Sequence, residues 1–597
     1  MSQSNAFLGV EQSLTLRRWV LNTNGKIKNV DKLGLAIAHQ FALPETVGQI
    51  MAQRGIELDA VECFLRPTLK VELPDPKRFI DMEFAVNRLV EAVLLGQIIG
   101  LFADYDVDGA TSAASMTRYF RAVGASVLIY VPDRIDEGYG PSMPALQDLV
   151  IRGAKVVVCL DCGILAIETL AQAMKARIDV IVVDHHVAGS ELPAAIAVVN
   201  PNRLDELAGF GYLAACGVTF LTLVAVNRAL RDKGWFTRHA EPDLKFILDL
   251  TALGTVCDVV PLTGLNRAFV VQGLKVMARR SNIGLAALAD VAGLGPTKPT
   301  AYHLGFVLGP RINAGGRMGK SDLGAKLLST KNIVEARRIA KTLDYCNNKR
   351  KVIEAGLLRS AIAQAKSARD APLLVVSGNG WHSGVIGIIA SRLKDRFYLP
   401  ACVISIDEKG IGRGSGRSVP GINLADAIIA AHRVGLLESG GGHAMAVGFT
   451  VAASRIDEFT AFLIEWFASL NICSPLMHSD LSVDALLAPS ETTVELARSI
   501  SLLAPFGVGN LEPRFIVSHA KVESSGIVNN KHVKCTLVGY HSVRIESIAF
   551  HAVGNTIGSS LLQVHKGPMH VAGYLRLNNS RGNYKVQLVI DDLAQAV

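Results

Sequence analysis

"QIIGLFADYDVDGATS", residues 97–112, runs an unbroken apolar stretch directly into Asp104, Asp106 and Asp108. The apolar half reads as a β-strand buried on both faces, as in a parallel sheet covered by helices. From about residue 97 the same grammar recurs: a short β-branched run, a polar or glycine turn, then a helix-length segment with apolar residues three and four apart. Four more strands follow: "SVLIYVP", "AKVVVCL", "DVIVVD" and "AIAVVN". Three of the five runs end on acids, at Asp104 to Asp108, at Asp161, and at Asp184 with His185 and His186. Parallel strands point the same way, so these ends share one edge, where open α/β sheets place their ligand crevice. Crowded carboxylates in a site of low dielectric are neutralised by protonation or by cations.

The 597-residue chain is half apolar and 19% charged, so it reads as a folded protein of about three or four domains. A net charge of +8 tolerates anionic partners without requiring one. Nine scattered cysteines and an N-terminus lacking a basic start with an apolar follow-on fit a reducing cytoplasm. "CLDC" has CxxC spacing, but with no second ligand pair Cys159 and Cys162 read as small buried residues around a turn. Leu207 to Val226 is long enough to cross a membrane. Gly209, Gly211 and Gly217 interrupt it and no second span follows, so it reads as a buried helix.

A helical stretch from about Ser321 to Ser367, with "NNKRK", leads into a second α/β pattern at "APLLVVSG". Leu511 to Val597 alternates like antiparallel strands ("HVKCTLVGY", "RIESIAFHAV", "MHVAGYLRL", "NYKVQLVID") and carries nine Lys or Arg against five Asp or Glu. A small basic β-barrel of this kind suits single-stranded nucleic acid.

Asp106, Asp108, Asp161, His185 and Asp258 of "GTVCDVVPL" make a mixed oxygen and imidazole set that suits Mn²⁺ or Mg²⁺. There are enough donors for two ions, which would clamp the attacking and leaving oxygens of a displacement at phosphorus. "GRGSGRS" and "ESGGGHAMAVG" set Arg413, Ser415, Arg417 and His443 among glycines, and glycine turns beside arginine are good phosphate seats. Tyr139 in "DEGYG" is a candidate to stack a base.

These motifs also carry a resemblance. "DYDVDGATS", "VPDRIDEGYG", "LDCGI", "VVDHH" and "GTVCDVVPL" occur in the order and approximate spacing of the DHH phosphoesterase superfamily. With "GPRINAGGRMG", "WHSGVIGIIASRL", "GSGRSVPGINL", "GGGHAMAVGF" and "FGVGNLEPRF", the chain from about residue 60 onward resembles the RecJ family of single-strand-specific 5′-to-3′ exonucleases. The resemblance implies Asp106, Asp108, Asp161, His185 and Asp258 as metal ligands, with Asp104 and His186 as further catalytic members. It implies Arg311, Ser415, Arg417 and His443 as phosphate contacts.

The fold expected is α/β: a parallel-sheet DHH domain joined by a long helix to a smaller α/β DHH-associated domain, plus a C-terminal OB-fold-like β-barrel. The expected divisions are an N-terminal segment 1–75, a DHH catalytic domain 76–300, a connecting helical region 301–368, a substrate-gripping domain 369–460 and a nucleic-acid-binding domain 461–597. The partner expected is single-stranded DNA met by a monomer away from membranes, with a single-strand-binding protein and a helicase as candidates to deliver it, in DNA repair and recombination. Two rival functions are a small-molecule or short-oligonucleotide phosphoesterase of the same superfamily and a non-catalytic single-strand-binding scaffold.

Overall fold

The computed structural model describes residues 6–22, 29–134, 136–367, 371–469, 480–539, 542–564, 567–580 and 583–596. They fall into two units: Met1–Val71 with Leu476–Val597, and Glu72–Pro475. The first unit opens with strand β1 (Arg18–Leu21) and helices α1 (Val30–Phe41) and α2 (Glu45–Gln53).

Within the second unit, β2 (Ile98–Ala103), β3 (Val127–Tyr130), β4 (Ala154–Leu160), β5 (Val180–Val183) and β6 (Ala197–Val199) form a sheet of order β3-β2-β4-β5-β6. Every pairing in it is parallel, as the doubly buried runs require. Helix α3 (Val107–Ala122) leaves β2 through Asp106, whose carboxylate caps it by accepting from Asp108 N and Gly109 N at 2.8 and 3.1 Å. Gly109 has no alternative here, because a Cβ would sit 2.3 Å from the Asp104 carbonyl oxygen. The uncharged stretch from Leu207 divides: its first part is loop, and helix α4 (Ala215–Asp232) begins only at Ala215. No described helix is long and apolar enough to cross a membrane. Cys159 ends inside β4 and Cys162 in the following turn, both fully buried.

Helix α5 (Leu248–Cys257) is followed by two further helices, Gly264–Met277 and Ile283–Val291, then by a π-helical turn, His303–Leu308, and by α6 (Gly309–Met318). Helix α7 (Ile333–Ser367) then runs for 35 residues, about 52 Å at the standard rise. The expected junction at 368/369 lies outside the described residues. Beyond it, a mixed sheet of order β10-β11-β9-β8-β7 is built from β7 (Leu374–Asn379), β8 (Ala401–Ile406), β9 (Ile411–Arg417), β10 (Ser439–His443) and β11 (Ala446–Ala452). Helix α8 (Ser383–Phe397) and the end of α7 pack with its Val376, Ala401 and Val403. Helices α9 (Leu424–Arg433) and α10 (Ile456–Ser469) pack with Cys402, Ile404, Val447 and Phe449. The division drawn between 460 and 461 falls inside α10, whose Phe459, Leu463 and Phe467 share that core.

The first unit resumes with β12 (Asp480–Val483), β13 (Ala485–Leu487), β14 (Phe515–Val528), β15 (His532–Val538), β16 (Arg544–Ala549), β17 (Met569–Ser580) and β18 (Asn583–Gln595). Strand β14 pairs with both β15 and β17, which closes β14-β15-β16-β18-β17 into a five-strand barrel. The alternating runs anticipated β15 to β18; β14 completes the ring. Strand β1 pairs in parallel with β12, and Arg18 makes a two-pronged bond to Asp480 at 2.9 Å for each prong. Ile37, Val47, Ile50 and Met51 of α1 and α2 share one core with Phe515, Val517, Leu588 and Leu593. Part of the expected N-terminal segment, residues 1–71, thus belongs with the barrel.

Candidate metal centre

Each strand end delivers a different donor to one edge of the parallel sheet. Asp104, Asp106 and Asp108 follow β2, Asp161 follows β4, His185 and His186 follow β5, and Asp258 sits at the C-terminal end of α5. Asp161 holds a left-handed backbone (φ 61°), costly for a residue with a Cβ and typical of functional turns. His185 Nε2 lies 3.4 Å from Asp161 Oδ1, 3.6 Å from Asp258 Oδ2 and 4.0 Å from Asp108 Oδ2. Asp161, His185 and His186, then Asp108, His185 and Asp258, then Asp104, Asp106 and Asp161, each offer ligand atoms within 4.8 Å of one another.

Four atoms of the cluster lack a hydrogen-bond partner. Asp104 Oδ1, Asp161 Oδ1, His185 Nε2 and Asp258 Oδ2 are buried and accept or donate no hydrogen bond. Buried polar atoms are ordinarily bonded, so four orphans facing one another mark a place for something else. The donors are carboxylate oxygens and imidazole nitrogen with no thiolate, the set that hard divalent ions such as Mn²⁺ and Mg²⁺ prefer. The residues present therefore fit such an ion. Burial, then the neighbouring Asp106, pushes Asp104 well above the usual carboxylate range. Burial with Asp108, Asp106, Asp104 and Asp258 around it does the same to Asp161. Asp258 is pushed up to about 9, by burial first and Asp108 next. A cation in the middle would reverse each of these shifts.

The surrounding bonds orient the donors. Burial raises Asp108, while Ala215 N and Cys216 N at the start of α4 donate to its two oxygens at 2.6 and 2.9 Å. Asp184 accepts from Ile164 N, His185 N, His186 N and His186 Nδ1, the last at 2.8 Å. Although burial works to raise Asp184, those bonds prevail and hold it below its ordinary value. Nδ1 of His186, bonded to Asp184, also lies 3.9 Å from Asp161 Oδ1, so this bond sets the ring against the cluster. Tyr139 donates from its hydroxyl to the Asp161 carbonyl at 3.1 Å and lies 3.2 Å from His186 Nδ1, which ties its ring to the rim of the cluster.

A cleft of about 610 Å³ opens beside this edge, between the two sheets of the same unit. Arg134, Arg317, Arg413, Ser415 and Arg417 line it, together with Phe306. Arg134 lies over the ring of Tyr105, 4.7 Å from its centroid, and Tyr105 stands between Asp104 and Asp106, so cleft and cluster adjoin. Burial, then repulsion from Arg134 and Arg350, brings Arg317 down to about 10. Burial and Arg134 likewise lower Arg417. Among the described residues, no carboxylate comes within ion-pair distance of Arg134, Arg317 or Arg417, although Asp395 also lines the cleft; guanidinium groups so placed suit an anion.

The expected site residues fare differently. Asp104, Asp106, Asp108, Asp161, His185, His186 and Asp258 come together. Ser415 and Arg417 line the cleft, and Arg417 donates to Ser415 Oγ at 3.1 Å. Exposed His443 pairs in register with Ala446, which pairs with Arg417, so it shares their sheet face. Arg311 does not line the cleft; it is bonded to Asp344 at 2.9 Å and to the Val307 carbonyl at 2.7 Å. The glycines of "GRGSGRS" lie in strand β9 rather than a turn. Gly412, Gly414 and Gly416 make room for Val451, Phe449 and Val447 on the opposite, core face. Nothing local in "VPDRIDEGYG" or "GPRINAGGRMG" distinguishes Arg134 or Arg317, because clustering of arginines across elements has no local signature.

Comparison with known proteins follows the same lines. Family models match for the DHH family N-terminal domain over residues 98–255, the DHHA1 domain over 370–469 and the RecJ OB domain over 483–592. The single-stranded-DNA-specific exonuclease RecJ of Dickeya dadantii (strain 3937) is 36% identical over 569 residues, 92% of this chain and 96% of that protein. Its counterpart in Escherichia coli (strain K12) is 35% identical over 570 residues, with the same shares. The crystal structure of RecJ in complex with Mn²⁺ from Thermus thermophilus superposes with a TM-score of 0.78 at 27% identity, covering 94% of this chain and 78% of that one. A Mg²⁺ complex from the same source superposes at 0.73, with 26% identity over 94% of this chain and 77% of that one.

Proposed function

The chain belongs to the RecJ family of single-stranded-DNA-specific exonucleases, and from that membership we propose how its residues divide the work. It is an exonuclease of single-stranded DNA that uses Mn²⁺ or Mg²⁺. In this reading Asp106, Asp108, Asp161, His185 and Asp258 hold the metal, in a donor set large enough for two ions, and Asp104 completes the anionic wall. The observation that carries it is the convergence of four orphaned buried donor atoms, Asp104 Oδ1, Asp161 Oδ1, His185 Nε2 and Asp258 Oδ2. Bound there, Mn²⁺ or Mg²⁺ supplies Lewis-acid polarisation and water activation for hydrolysis at phosphorus.

The protein's own groups do the rest. Asp184 fixes the His186 ring through its bond to Nδ1, as an orienting carboxylate does for a metal-site histidine. Arg134, Arg317 and Arg417, with Ser415, seat the terminal phosphate and the phosphodiester next to it. That contact sets which bond lies over the carboxylates, and a preference for the 5′ end, which the family resemblance implies, belongs to the same proposal. The basic β-barrel retains the trailing strand. Delivery by a helicase and a single-strand-binding protein, a role in repair and recombination, and a cytoplasmic setting suited to free cysteines belong to the same proposal.

Asp106→Ala and His185→Ala should each lower hydrolysis of end-labelled single strands by more than the roughly 10- to 100-fold that outer-shell changes cost. Single-strand binding should persist through the barrel. A degradation assay with Mn²⁺ and Mg²⁺, with 5′-blocked and duplex controls, checks this. Undiminished cleavage in either variant removes the assignment. A scaffold that only binds DNA would cleave nothing in the parent either.

A further inference from the structure

Two exposed aromatic side chains stand at the border of the arginine cleft with no role in the chemistry described above. Tyr302 is 59% exposed and Phe306 72% exposed. Their rings lie near-parallel, with centroids 5.1 Å apart and an interplanar angle of 26°. Each aromatic side chain can bury 150–250 Å², so leaving both in water forgoes a large apolar gain. The element beneath them is unusual. His303–Leu308 is a π-helical turn, a rare form that recurs at functional sites. Leu304 and Leu308 are buried beneath it.

That turn is fastened to the helix that delivers a metal ligand. Cys257 Sγ donates to the Leu304 carbonyl at 3.4 Å, and the next residue is Asp258. A Cβ on Gly309 would stand 2.4 Å from Cys257 Sγ, so the turn and α5 touch closely. Phe306 itself lines the cleft that holds Arg134, Arg317 and Arg417. The aromatic pair is thereby continuous with an anion seat on one side and tied to the metal-bearing helix on the other. Aromatic faces beside arginines are what a single strand needs, because phosphates pair with the cations while unpaired bases stack.

Resting on the exonuclease reading, we propose that Tyr302 and Phe306 form a stacking platform for bases of the single strand close to its reacting end. A paired base has its faces covered by its own duplex, so the platform would also favour unpaired substrate. In this role the pair acts by holding the strand in register.

The test is steady-state hydrolysis of 5′-phosphorylated oligonucleotides, each carrying one abasic residue at a successive position from the 5′ end. The enzymes are the full-length parent, Phe306→Ala, Phe306→Trp and the double variant Tyr302→Ala/Phe306→Ala. In the parent, one or two abasic positions should raise KM about 5- to 150-fold, the range of single base–aromatic stacks. The double variant should show that rise already with the unmodified strand and no further rise with the abasic one, Phe306→Ala should lie between, and Phe306→Trp should keep the parent's pattern. An abasic penalty equal in parent and double variant overturns the proposal. So does an unmodified-strand KM left unchanged by the double substitution, the result expected of a docking surface for another protein. A parent that cleaved no single strand at all would remove the functional reading, and this proposal with it.

Discussion

Asp249 separates burial from metal binding at the scale of one residue. It is 1% exposed, Leu250 N donates to its Oδ1 at 2.8 Å, and its Oδ2 has no partner. Burial pushes its carboxyl up to about 6, against partial relief from Arg118. The folded state therefore keeps a proton to higher pH than the unfolded chain. Between about pH 4 and 6 the native protein binds more protons, so stability falls as pH rises through that window, and the penalty of about 3 kcal/mol is fully developed above it. Asp249→Asn keeps the acceptor for Leu250 N and removes the charge. Thermal melts of parent and variant should be close near pH 4.5 and diverge by pH 7.5 in favour of Asn; a gap that does not widen with pH contradicts this account. The sequence could name donors by residue type, and so Asp106, Asp161 and His185 were legible. It could not tell that Asp184, equally acidic and equally strand-ending, spends its oxygens on four donors, or that Arg311 is taken by Asp344.

Among elements, β9 separates the role of glycine from that of its neighbours. Alternation along the strand turns Arg413, Ser415 and Arg417 one way and Gly412, Gly414 and Gly416 the other. A Cβ on Gly414 would stand 2.1 Å from the Phe449 ring, which packs on Phe459 with centroids 5.0 Å apart. Gly414→Ala should destabilise the protein by about 1–3 kcal/mol or more through overpacking, read from denaturant midpoints at constant slope. Phosphate contacts would be untouched directly. A variant as stable as the parent but weaker in DNA binding would return that glycine to the binding face. Four of the five parallel strands, β2, β4, β5 and β6, were legible because both their faces are buried, which leaves a continuous apolar signature; edge strand β3 is half-buried and shares the same apolar run. Strand β14 was not, since its outer half is largely exposed and its pairing shifts at two bulges.

For the whole molecule, the first unit is assembled from both ends of the chain. Removing Leu511 to Val597 alone would strip β14 to β18 from Ile37, Val47, Ile50 and Met51, so such a truncation should aggregate rather than report on binding. Removing Met1–Val71 and Leu476–Val597 together leaves the unit that carries both carboxylates and arginines. That protein should still cleave short oligonucleotides, bind long single strands more weakly, and show a shallower fall of affinity with salt, because fewer phosphates release counterions. Salt titrations of both proteins on one long strand check this; equal slopes would take the barrel out of DNA binding. The sequence by itself determined the sheet, the acids at its tips, the divalent chemistry and the barrel, because burial periodicity and donor type are local properties of a chain. Only the tertiary structure decided which donors are left unpartnered, which arginines converge, what the glycines are for, and that Arg18 meets Asp480. Those outcomes depend on contacts between residues far apart in the chain, and no local pattern records which distant partner a side chain will meet.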